Sequence, residues 1–81
     1  MFPKIKSIRI QDDYVLIVWF DNGIQKRFDI QPKLSEIRFE PLKDKALFRD
    51  VRVDQGGYGI SWNDEIDLSE YELWTYGELL N

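Results

Sequence analysis

Carboxylates are the only side chains abundant and closely enough spaced here to suggest chemistry. Asp12 and Asp13 are adjacent, and Asp64, Glu65 and Asp67 crowd a second short stretch. Two acids on either side of a glycosidic bond can hydrolyse it, provided they face each other across a cleft. Both groups lie in polar stretches that read as turns, where adjacent acids point into water. A chain of 81 residues also has little room for a substrate cleft. Asp64, Glu65 and Asp67 offer the hard oxygen ligands that calcium prefers. Their spacing lacks the alternating ligands, central Gly and twelfth-position Glu of a calcium loop. There is no His and no Cys. Their absence removes the commonest metal ligand, the side chain best suited to proton transfer near neutrality, any thiolate nucleophile and any disulfide. The glycine-rich run DQGGYG over residues 54–59 has neither phosphate-loop spacing nor a following Lys-Ser/Thr, and it reads as a hairpin turn. These features predict a domain that is not an enzyme and carries no metal or cofactor. A carboxylate-dependent enzyme is the last of three readings.

Binding is the remaining class. Tyr71, Trp74 and Tyr76, together with Trp19, exceed what one short helix needs to bury, and Trp and Tyr serve as interface anchors. These four form the candidate interaction surface, for a protein partner or for a second copy of the chain. Lys4, Lys6, Arg9, Lys26 and Arg27 are the alternative site. With an aromatic nearby they could contact nucleic acid from the sheet. The chain has a net charge of -4 and no basic recognition helix, so nucleic acid is the less favoured partner. No positive side chain follows Arg52, whereas Asp54, Asp64, Glu65, Asp67, Glu70, Glu72 and Glu78 do. Such a half repels phosphate and attracts a basic partner. No apolar run approaches the ~20 residues of a membrane span, and the N-terminal MFPKIKSIRI lacks signal-peptide features. The expectation is a cytoplasmic protein.

The elements that must position these residues are β-strands first. YVLIVWF over residues 14–20 is an unbroken β-branched and aromatic run, suited to a strand covered on both faces. Asn22-Gly23 marks a tight hairpin turn with positive φ. Ile24, Phe28 and Ile30 then share one side with the stem of Lys26. KIKSIRI (4–10) reads as a first strand, with Ile8 and Ile10 on one side and Ile5 on the other. The result is an antiparallel meander over about residues 4–30. Tyr14, Leu16, Val18 and Phe20 form one face of its centre, and Val15, Ile17 and Trp19 the other. That second face needs a cover, from strand curvature, later segments or another subunit.

Residues 33–39 read as one helical turn or a link packed by Leu34, Ile37 and Phe39. Pro41 opens a short helix to residue 48, with Leu42, Ala46 and Leu47 or Phe48 facing the sheet. A second hairpin over about residues 49–62 presents Tyr58, Ile60 and Trp62 on one face. Gly59 between them permits a bulge or a close backbone approach. Ile66-Asp67-Leu68 is a short extended piece. Ser69 and Glu72 have capping-box spacing for a helix from Glu70 to Tyr76, with Leu73 and either Tyr76 or Gly77 inward, stopped at Gly77. The fold class is α+β: a meander and a second hairpin packed with two short helices in a single domain over residues 1–81.

Several of these stretches together resemble one family. WFDNG (19–23), Phe28-Asp29, and Trp62 followed by Asp67-Leu68 are its specific parts, within a match over about residues 4–74. The chain is similar to the small bacterial DUF2442 family. It has Asn63 where many members carry Pro, and Leu73-Trp74 where many carry Leu-Tyr. The resemblance implies a small α+β domain without established active residues. It also implies membership of a two-protein module of toxin–antitoxin type, because genes of the family often adjoin those of another small family. Some relatives look fused to a helix-turn-helix, which this chain does not carry.

Overall fold

The computed structural model describes residues 2–80. The α+β expectation holds: two antiparallel sheets are joined by short helical segments. In the first, β1 (Ile5–Gln11), β2 (Val15–Phe20) and β3 (Gln25–Asp29) form the predicted meander. A two-residue strand near the C-terminus, β7 (Glu78–Leu79), joins β3 and gives the order β1-β2-β3-β7. The sequence predicts no element past the stop at Gly77, so β7 is an addition to the expected fold. Two residues carry too little pattern to register as a strand.

The β2–β3 turn is one residue longer than the two-residue turn that Asn-Gly suggests. Asn22 keeps negative φ, and Gly23 alone is left-handed at +87°. The Gly23 amide donates to Phe20 O at 3.0 Å and the Phe20 amide to Ile24 O at 2.9 Å. This is a three-residue loop in which a type I turn is closed by a left-handed glycine. The Asn22 side chain accepts from the Ile24 amide at 3.0 Å.

Strand β1 departs from regular alternation. Ile5 pairs with Phe20 but Ser7 pairs with Trp19, so Lys6 is an extra residue opposite nothing. Ile8 and Ile10 then pair with Val18 and Leu16. Directly opposed residues share a face. The bulge therefore puts Ile5, Ile8 and Ile10 all on the core face, where strict alternation sends Ile5 the other way. Tyr14 also differs: it precedes β2 in a left-handed turn, φ 61°, an uncommon conformation for an aromatic residue. Its hydroxyl donates to Lys43 O, and its ring meets Phe48 edge-on at 5.3 Å.

Between the sheets the chain is helical in short pieces. Two 3₁₀ segments span Gln31–Ser35 and Ile37–Lys43, and helix α1 spans Lys45–Arg49. Pro41 does not open the helix; it sits inside the second 3₁₀ segment. Asp44 opens it instead, its side chain accepting from the Ala46 amide at 3.0 Å. Leu34, Phe39, Leu42 and Phe48 are buried, while Ile37 is 90% exposed and Ala46 is exposed.

The second hairpin gains a third strand. β4 (Arg52–Val53), β5 (Gly59–Ser61) and β6 (Asp67–Ser69) form the other sheet, in that order. A 3₁₀ turn at Gln55–Gly57 precedes Tyr58, which lies outside β5 in helical conformation and is exposed. Its ring is therefore not on the Ile60–Trp62 face. Gly59 shows the close approach: a Cβ there would lie 2.6 Å from Leu68 O. Helix α2 (Glu70–Tyr76) follows β6 directly. The two sheets, the 3₁₀ segments and α2 share one apolar core that includes Leu16, Phe20, Phe28, Leu42, Ile60 and Leu73. Trp62 is buried in it, with its indole N–H donating to Phe48 O at 3.0 Å. Among the described residues no helix is long and apolar enough to cross a membrane.

Candidate interaction surface

The second face of β2 is covered by its own neighbours. Val15 and Ile17 are buried, yet neither belongs to the core cluster. The ladder places Arg9 and Arg27 on either side of Ile17, and Gln11 and Asp29 on either side of Val15. Long side chains lay their aliphatic stems over apolar surface while keeping the charged head in water. Ile17 is thereby reduced to 2% exposure. Trp19, on the same face, is half-buried with the Arg9 guanidinium 5.3 Å from its ring centre.

The five basic residues considered for nucleic acid do not form one surface. Lys26 lies on the core face opposite Val18, its ammonium donating to Trp74 O and standing 4.1 Å from the Trp74 ring centre. Lys4 pairs with Glu70 at 3.4 Å and lies 4.5 Å over the Tyr58 ring. Lys6 is the exposed extra residue of the bulge. Arg9 and Arg27 flank Ile17 on the open face of the sheet.

The four aromatics considered for a partner also divide. Trp74 is half-buried, edge-on to Phe20 at 5.1 Å. Tyr71 is exposed and meets Phe2 edge-on at 4.8 Å. Tyr76 is 67% exposed at the other end of α2, and Leu73 alone is fully buried on that helix. Leu79 and Leu80 are exposed after it.

The carboxylates are spread out. Asp13 pairs with Lys45 at 3.2 Å, and Asp67 with Arg38. Asp54 accepts from the Ser61 hydroxyl at 2.6 Å, so the glycine-rich run is a braced turn. Asn63 accepts from the amides of Glu65 and Ile66 at 2.8 and 2.9 Å, which shapes the Asp64–Glu65 turn. No group of three or more acids among the described residues is arranged to hold a metal ion.

A cleft of about 460 Å³ opens where β3, the first 3₁₀ segment and α2 meet. Phe28, itself buried, is in its lining with Pro32 and the exposed ring of Tyr76. Its charges are those of Asp29, Glu36, Glu72 and Glu78 against Arg27 and Lys33. Lys33 is held by Glu72 at 3.0 Å, and Arg27 stands opposite Glu78 in the β3–β7 ladder. Glu36 and Glu78 form no ion pair among the described residues. Of these residues Tyr76 and Arg27 are site candidates from sequence, each for a different surface. The others come from three separate segments, and no spacing in the chain signals their meeting.

A family model described as "Protein of unknown function (DUF2442)" matches residues 5–78. No curated protein and no solved structure matches.

Proposed function

The chain belongs to the DUF2442 family, proteins of unknown function, and we propose that it is a non-enzymatic protein-interaction domain. One observation carries this reading. The run from Tyr76 to Leu80 leaves three large apolar side chains exposed at the edge of the first sheet, beside a cleft. Exposed apolar groups gathered beside a concavity mark contact surfaces more often than scattered ones do. The family resemblance and the acidic C-terminal half fit the acidic member of a two-protein bacterial module of toxin–antitoxin type. A cysteine-free chain suits the reducing cytoplasm. Nucleic-acid binding ranks second, supported by Arg9, Arg27 and Trp19 on one open face, and weakened by the internal use of Lys4 and Lys26.

The test is affinity capture from the native host at physiological salt, with and without nuclease, using the wild-type chain and Tyr76→Ala/Leu79→Ser. We expect one protein in stoichiometric amount in both nuclease arms, lost with the double variant. Recovery that depends on nucleic acid would promote the second reading. Bait alone in every arm would count against an interaction domain.

A further inference from the structure

Resting on that reading, we propose that the cleft between β3, the Gln31–Ser35 segment and α2 receives an arginine side chain from an extended, basic segment of the partner. The charge balance points to a cation. The lining carries four carboxylates and two cations, and one of those cations, Lys33, is already held by Glu72 at 3.0 Å. Glu36 and Glu78 remain without an ion pair among the described residues. An anionic ligand would meet this surplus of negative charge.

The lining selects among cations. Phe28 and Pro32 give an apolar wall for a long aliphatic stem, and the Tyr76 ring is exposed for a planar cation to stack on. A guanidinium stacks on aromatic faces and forms forked hydrogen bonds to a carboxylate; a compact ammonium does the first less well and the second not at all. The occupant is part of a chain rather than a free amino acid. Glu78, in the cleft lining, opens the terminal strand of the sheet, and exposed Leu79 and Leu80 follow it in the chain. A segment lying there has a strand edge for its main chain and two leucines for its flanking residues.

The test is a titration of the ¹⁵N-labelled full chain at low salt with a blocked peptide, acetyl-Val-Thr-Arg-Val-Thr-amide. Its Arg→Gln counterpart, its Arg→Glu counterpart and free arginine serve as parallel probes. We expect the amides of Asp29, Glu36, Tyr76 and Glu78 to shift with the arginine peptide. Binding should weaken about tenfold or more with the glutamine peptide or with free arginine. It should weaken similarly in Glu36→Gln/Glu78→Gln, two exposed positions whose change leaves the core intact, and be unchanged in Tyr71→Ala. No shift at millimolar arginine peptide, shifts centred elsewhere, or equal binding of the glutamine peptide would overturn the arginine site. Equal glutamine binding at the cleft would still leave an interaction domain standing, whereas failed capture from the host would not.

Discussion

Lys26 is a cation consumed by the fold. It sits in β3 opposite Val18, so its stem runs along the core face. Its ammonium reaches Trp74 O near the end of α2, where unpaired carbonyls concentrate negative charge, and also stands over the indole. One side chain thus holds the helix end to the sheet. Lys26→Met keeps the stem and deletes the charge. We expect it to cost about 2–4 kcal/mol, the sum of one charge-assisted hydrogen bond and a cation–π contact, measured by urea unfolding. A loss near zero would show that the ammonium is solvated and the staple absent. The stem's side was legible, because Ile24 and Phe28 flank it at two-residue spacing. The partner was not, since Trp74 lies 48 positions away. Trp74 is explained by the same contact: its ring fills space between Phe20 and Lys26.

Among elements, α2 shows what a local motif can promise. Ser69 accepts from the Glu72 amide at 3.2 Å, as the capping-box spacing predicts. The reciprocal bond does not form. Ser69 belongs to β6, paired opposite Gly59, and the Glu72 carboxylate turns instead to Lys33. Ser69→Ala should therefore cost about 1 kcal/mol. Glu72→Ala should cost less than about 1 kcal/mol, because it breaks only a part-exposed ion pair. Chemical denaturation of the two variants side by side checks the ranking; the reverse order would mean that the box is closed in solution. The strands and α2 were legible because apolar spacing and caps are local. The 31–50 stretch was not. Its 3₁₀ turns bury Leu34, Phe39 and Leu42 at irregular intervals, and Asp44, not Pro41, caps α1. The fold was thus largely readable, while of the cleft only Tyr76 and Arg27 stood out, and for separate surfaces.

For the whole molecule, the uneven charge of the sequence has an internal use. Lys4, Lys33 and Arg38 from the first half pair with Glu70, Glu72 and Asp67 from the second. Each pair contributes little, but together they align the halves over a core that both sheets share. Leu16, Phe20 and Phe28 of one sheet pack in the same cluster as Ile60 and Leu68 of the other, so neither sheet has a core of its own. Unfolding should therefore be one cooperative event. Tryptophan fluorescence and far-UV circular dichroism should give superimposable urea curves; two separated midpoints would mean that the sheets melt independently. The bulge at Lys6 has a consequence on the evolutionary scale. Because Lys6 faces no residue of β2, removing its codon would leave Ile5, Ser7 and Ile8 in regular alternation, with the same isoleucines turned inward. Lineages can thus gain or lose a residue at this point of the first strand without altering which side chains the core receives.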